Sequence, residues 1–265
     1  MSSDSAFVGS IAELYEECLV PVLFEPYAAD LVERAVALKP ERKLEIAAGT
    51  GAVTRKLAAA LPASAIVATD LNPDMLAIAE RRDAGGNVGY QSADAQALPF
   101  PAEEFDLVVI QFGAMFFPDK VAAYREARRV LDRGGTLLFN VWDRLEANTG
   151  SLAIHDAVRA AVPEPKPEFI ARTPFGYHDR ATIEAHLRQA GFATVKIEQV
   201  ERESPPGDAA RLARGMCLGS PLAGELAQHA PGWRERALAA ATGAVTELAA
   251  TGPLAMSALV VTASG

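Results

Sequence analysis

The sequence predicts an α/β protein: a doubly wound, mostly parallel sheet of seven strands with helical cap insertions. Three observations carry that expectation. Short apolar runs alternate with amphipathic segments of helix length between Leu44 and Trp142. Residues 105–110 (F-D-L-V-V-I) are almost continuously apolar, as a central strand covered on both faces should be. Residues 44–51 (L-E-I-A-A-G-T-G) lead a strand into a glycine turn, with a helical pattern behind it.

Taken in order, residues 11–38 keep apolar side chains at helical spacing, from Ile11, Leu14 and Tyr15 to Leu31, Ala35 and Leu38. Pro21 and Pro26 are expected to divide them into a leading segment and a helix starting near Pro26; Pro40 ends it. Residues 44–48 form the first strand and residues 53–61 the helix after the glycine turn. Residues 65–69 are the second strand, which stops at Asp70. Asn72 caps the next helix, with Pro73 at its first position, and that helix runs to about Arg82. Gly85-Gly86-Asn87 turns the chain into a third strand, 88–92, which leads to Asp94. After the fourth strand, Asp119 caps a helix through Tyr124, Ala127 and Val130. Asp132-Arg133-Gly134-Gly135 is expected to be a turn before a fifth strand at 136–142.

Beyond Trp142 the alternation loosens. Residues 151–162 read as a helix, and Pro163, Pro165, Pro167 and Pro174 punctuate the stretch behind it. Asp179 caps a helix to Ala190, Gly191 closes it, and residues 192–200 alternate as a strand. Residues 205–247 are mostly helical and 254–263 give the last strand. The expected organisation is an N-terminal helical segment over 1–40 and one domain over 41–265, with cap insertions at about 143–178 and 201–252.

The chain has 265 residues, half of them hydrophobic and 22% charged, which is ordinary globular composition. A net charge of −9 argues against a nucleic-acid binder, which needs a basic footprint. Cys18 and Cys217 stand in no metal or redox motif and fit small buried residues in a reducing compartment. The polar start at residues 1–5 lacks a signal-peptide pattern, and no apolar run reaches bilayer length. A cytoplasmic protein without stable membrane insertion is expected.

Strand, glycine turn, helix, strand and acid is how a βαβ unit holds a nucleoside-containing ligand. The glycines admit close backbone approach, the helix N-terminus offers N–H groups, and the acid accepts from ribose hydroxyls. A dinucleotide turn would continue to a third glycine, where this chain has Thr54. Asn72 already supplies the helix cap, which leaves Asp70 for the ligand. Asp94-Ala95 offers a carboxylate and a backbone N–H for an adenine edge.

Five segments in order, L-E-I-A-A-G-T-G (44–51), T-D-L-N-P-D-M-L (69–76), S-A-D-A-Q-A-L-P-F (92–100), F-D-L-V-V-I-Q-F-G (105–113) and V-L-D-R-G-G-T-L-L-F (130–139), resemble class I S-adenosylmethionine-dependent methyltransferases. The likeness is to the small-molecule branch similar to ubiquinone and menaquinone biosynthesis enzymes. It implies a Rossmann-like methyltransferase fold and S-adenosyl-L-methionine as cofactor. It also implies that Glu45 and the turn at Ala47, Gly49 and Gly51 face the methionine part, Asp70 the ribose, and Leu71 the adenine. Asp94 and Ala95 would read the adenine edge, and Gln111 would sit by the methyl group. Tyr15, in a leading segment that folds over the cofactor mouth in similar enzymes, would cover it. The family often has glycine where this chain has Ala47. Gln111-Phe112-Gly113-Ala114 is not the Asn/Asp-Pro-Pro-aromatic motif of amide and adenine-amine methylation.

Methyl transfer from a sulfonium is an in-line displacement governed by positioning and exclusion of water, and it needs no protein nucleophile. A base matters for a hydroxyl acceptor. None of the four histidines is paired at metal-ligand spacing, so no metal is expected. His155 and His178 rank first as catalytic bases because the cap should border the substrate. Phe112, Met115, Phe116 and Phe117 divide between core packing and pocket lining. The expected partners are a small-molecule acceptor and at most a second copy of the chain in a homodimer, with no nucleic acid. The other readings are a non-catalytic S-adenosyl ligand binder and an NAD-dependent oxidoreductase.

Overall fold

The computed structural model describes Phe7 and residues 9–83, 86–204 and 207–265. Helix α1 (Ser10–Leu14) passes into a π-helical stretch, Tyr15–Phe24, and then into α2 (Glu25–Leu38). The order continues as β1 (Arg42–Ile46), α3 (Ala52–Ala60), β2 (Ala65–Asp70), α4 (Pro73–Arg82), β3 (Val88–Ser92) and β4 (Phe105–Gln111). Next come α5 (Lys120–Val130), β5 (Leu131–Trp142), α6 (Thr149–Ala161), α7 (Phe169–Arg172), α8 (Arg180–Gln189) and β6 (Thr194–Ser204). Helices α9 (Ala209–Leu218), α10 (Leu222–Leu226) and α11 (Trp233–Ala249) precede β7 (Leu254–Ser264).

The seven strands form one open sheet in the order β3-β2-β1-β4-β5-β7-β6. The pairs β1–β2, β2–β3, β1–β4 and β4–β5 are parallel. Chain order reverses direction between β1 and β4, the switch point at which open α/β sheets bind ligands beyond the carboxyl ends of their strands.

The chain divides into two compact units. One comprises Tyr27–Val141, Tyr177–Gln199 and Leu259–Gly265 and carries most of the sheet. In its core, β4 buries Phe105 and Leu107 to Ile110, which is why that run is apolar without alternation. Helix α3 adds Val53 and Leu57, and α5 adds Tyr124 and Val130. Asn72, Asp119 and Asp179 accept from Asp74, Ala122 and Thr182 N–H at 3.0, 2.9 and 2.8 Å, so all three expected caps are present.

The other unit comprises the described residues through Pro26, Trp142–Gly176 and Val200–Ala258. Here α11 packs on α6 and α9, and α9 packs on the π-helical stretch. Asn148 clamps one residue of β7: its Oδ1 accepts from Ser257 N–H at 3.0 Å and its Nδ2 donates to Ser257 C=O at 3.1 Å.

Two local expectations are corrected. Helix α2 does begin near Pro26, at Glu25, but Pro21 and Pro26 do not break the path: it stays helical through Pro21 as a widened π turn, in which Glu25 N–H reaches back five residues to Val20 C=O. A π turn carries the path past a residue that has no N–H to give. Residues 132–135 are not a turn before the fifth strand but an irregularity inside β5. Phe105 pairs with Leu131 and Leu107 with Thr136, so the surplus bulges out at Gly134, whose φ is 99°. The expected Gly85-Gly86-Asn87 turn begins outside the described residues, as do the polar residues 1–5 and the start of the 205–247 stretch. Among the described residues, no helix is long and apolar enough to cross a membrane.

Candidate functional site

The site grows from the end of β1. Three alternate residues after it take positive φ: Ala47 at 54°, Gly49 at 57° and Gly51 at 82°. Such an alternation turns successive backbone N–H groups toward one concave side. Gly49 is required by its φ rather than by crowding, since a Cβ there would only reach Met75 Cε at 3.7 Å. Gly51 is needed twice over, because a Cβ would also lie 3.0 Å from Ala79 Cβ on α4. No side chain caps α3, so its first N–H groups remain available to a ligand.

Glu45, within β1 just before the turn, is 2% exposed, and burial pushes its carboxyl up to about 8. Thr54 Oγ1 donates to Glu45 Oε2 at 2.7 Å, and Thr69 Oγ1 donates to the Glu45 carbonyl at 2.9 Å. The threonine that breaks the dinucleotide pattern therefore serves the buried acid. Its place in the first turn of α3, one turn beyond Gly51, was the only signal the sequence held for that role.

Asp70 ends β2 and braces the glycine turn: Oδ2 accepts from Gly49 N–H and Oδ1 from Asn72 N–H, both at 2.8 Å. Burial pushes its carboxyl up, and these backbone donors oppose that. With Leu71 N–H as a third backbone donor, the carboxylate still has acceptor capacity for a hydroxyl. Leu71 beside it is 44% exposed, one of three large apolar side chains so placed among the described residues. Asp94 Oδ1 accepts from Gln96 N–H at 2.8 Å, Ala95 is buried, and Ala93 N–H on the same loop donates to the Asp70 carbonyl at 3.1 Å.

Gln111 ends β4 and pairs with Asn140 of β5. Asn140, which no local sequence pattern marks, is fully buried, and its Oδ1 and C=O both accept from Phe112 N–H at 2.9 and 3.2 Å. Phe112, with φ 48°, rests edge-on against Tyr27 at 5.4 Å. Met115 and Phe117 are buried like Phe112. Lys120 Nζ ties that loop down, donating to Met115 C=O at 3.2 Å and Phe117 C=O at 3.0 Å.

Parallel register thus brings Glu45, Ala47, Gly49, Gly51, Asp70, Leu71, Asp94, Ala95 and Gln111 to the carboxyl edge of β1 to β4. His178 belongs to the same unit, exposed beside the Asp179 cap of α8. Tyr15 and His155 belong to the other unit. Tyr15 stacks on Phe24 with ring centroids 5.1 Å apart. His155 is half-buried on α6, and burial, with Arg159 nearby, pushes its pKa down. No group of three His, Cys, Asp or Glu side chains among the described residues is placed to hold a metal ion.

The donor set fits an S-adenosyl ligand. An arriving ammonium would favour the ionised form of the buried acid, which would release its proton to solvent and form the ion pair; the concave N–H groups and the α3 terminus suit a carboxylate, and Asp70 with exposed Leu71 suits a ribose and base.

Comparison with known proteins agrees. Residues 44–139 match the family described as a methyltransferase domain. A ubiquinone/menaquinone biosynthesis C-methyltransferase of Ectopseudomonas mendocina is 33% identical over 196 residues, covering 66% of this chain and 72% of that protein. An uncharacterized protein of Mycobacterium tuberculosis is 37% identical over 138 residues, 51% of this chain. The match spans about half of that relative, 47% of its length. The crystal structure of YcgJ from Bacillus subtilis superposes with a TM-score of 0.56 at 18% identity, covering 86% of this chain and 96% of that one, which is a likeness of fold.

Proposed function

We propose, for a chain that belongs to the class I S-adenosylmethionine-dependent methyltransferases, that it moves a methyl group to oxygen or carbon of a small aromatic or lipid-like acceptor. The observation that carries this reading is the acid–glycine–acid arrangement of Glu45, Gly49, Gly51 and Asp70 at the sheet's switch point. In it Glu45 receives the methionine ammonium, Asp70 the ribose hydroxyls, and Asp94 with the Ala95 N–H the adenine edge. Bound there, S-adenosylmethionine supplies a methyl on a sulfonium, whose departure leaves a neutral thioether.

The chain's own contribution is orientation and exclusion of water. The loop after β4, with Phe112, Met115 and Phe117 buried and Lys120 holding it from behind, supplies an ordered apolar wall for the acceptor. His155, kept neutral by burial, is suited to take a proton from a hydroxyl acceptor, and His178 is the second candidate. Carbon acceptors activated as enolates or phenolates need that base only to form the anion.

Incubation of the purified protein with S-adenosylmethionine and a panel of phenols, quinols and unsaturated lipids, followed for S-adenosylhomocysteine release, tests the reading. Release that depends on one acceptor class and is lost in Asp70→Ala is the expected result. Cofactor binding without release on any of these, or on a cell extract, would leave a non-catalytic binder instead.

A further inference from the structure

One residue after β1 and two after β4 meet in a way that neither strand requires alone. Ladder pairing of the two strands ends at Glu45 and Val109, yet the chains close again at Ala47 and Gly113. Gly113 has φ −99° and ψ −35°, a conformation open to any residue, so its backbone does not explain the glycine. Space does. A Cβ on Gly113 would lie 2.6 Å from Ala47 Cβ, far inside carbon–carbon contact, and 3.1 Å from Ile110 Cγ2. Ala47, by contrast, has φ 54°, where glycine is the natural occupant and a methyl is strained. The methyl sits where the backbone resists it, and is missing where the backbone would accept it.

Both sides are anchored. Behind Ala47, Ala48 N–H is bonded to Thr69 C=O at 2.9 Å and Gly49 N–H to Asp70 Oδ2 at 2.8 Å. Behind Gly113, Phe112 N–H is held by Asn140, and the Phe112 ring is set against Tyr27. The gap between the glycine turn and the loop after β4 is therefore fixed from both faces and filled by a single methyl group.

We propose that Ala47 and Gly113 are a complementary pair of positioning residues whose one shared methyl sets the spacing between the cofactor turn and the acceptor-side loop. The proposal rests on the methyltransferase reading for what the spacing serves. The methyl can be carried by either partner: moved to position 113, it stands 3.9 Å from the Cα of residue 47 and asks only Ile110 Cγ2 to give way by a few tenths of an ångström.

A double-mutant cycle tests this, read by titration with S-adenosylhomocysteine and by thermal unfolding of Gly113→Ala, Ala47→Gly and the double exchange. Gly113→Ala, with two methyls in the gap, is expected to bind about tenfold or more weakly. Ala47→Gly, with none, is expected to bind several-fold more weakly although it relieves a strained φ and unfolds no earlier. The double exchange is expected to return to within about threefold of the parent protein. If Gly113→Ala does not fold, the double exchange still decides: folding with near-parent affinity supports the pair, and failure to fold or bind overturns it. Four proteins that differ in unfolding temperature but bind alike would make the pair a packing feature only and overturn the positioning role. Absence of binding in the parent would refute the methyltransferase reading instead, so the two failures are distinct.

Discussion

Glu45 should make the protein lose stability as pH rises through neutrality, and Glu45→Gln should abolish that loss. In the folded chain burial holds the carboxyl at about 8, against an ordinary value near 4.5. The native state therefore keeps a proton that the unfolded chain has released, so stability is full below about 4.5 and declines until about 8. Each pH unit in that interval is worth about 1.4 kcal/mol, so the whole interval amounts to about 5 kcal/mol. Over its last two pH units, the parent is expected to lose about 2 kcal/mol relative to Glu45→Gln, which keeps an acceptor for Thr54 and cannot ionise. Urea unfolding at a series of pH values measures it. S-adenosylhomocysteine, whose ammonium would pair with the carboxylate, should stabilise the parent more as pH rises and Glu45→Gln equally at every pH. Parallel stability curves for the two proteins would refute the reasoning, because they would mean that Glu45 is ionised in the fold without cost.

Asn148→Ala removes both partners of the Ser257 backbone in a buried position, and a loss of about 2–4 kcal/mol in urea is expected; a change under about 0.5 kcal/mol would show the clamp to be dispensable. Asn72→Ala removes the cap of α4 and should cost about 1 kcal/mol, with a glycine there costing less. On a hydroxyl acceptor, His155→Ala or His178→Ala should slow turnover at constant cofactor affinity. Unchanged rates in both would leave transfer to positioning alone.

The central strands were legible because they are written as contiguous apolar runs: 65–69 and 105–110 sit within a residue of β2 and β4. The caps were legible for the same reason, since Asn72, Asp119 and Asp179 act on N–H groups two or three residues away. What local pattern could not supply was the partner of each turn residue. Asp132-Arg133-Gly134-Gly135 has turn composition, but pairing with β4 on either side draws it into β5 as a bulge. Pro21 has the composition of a break, yet the helix widens around it. Within the site, the acid and glycine series from Glu45 to Asp94 was readable by its order along the chain. The service of Thr54 to Glu45, the hold of Asn140 on Phe112 and the meeting of Ala47 with Gly113 depend on neighbours that only the folded sheet brings together.

Calorimetric titration of the parent protein and Asp70→Ala with S-adenosylmethionine tests the account most directly. One ligand per chain is expected, with affinity at least about tenfold weaker in Asp70→Ala, whose substitution removes the proposed ribose acceptor together with the brace on Gly49. No binding by the parent, or binding of NAD in its place, would contradict it.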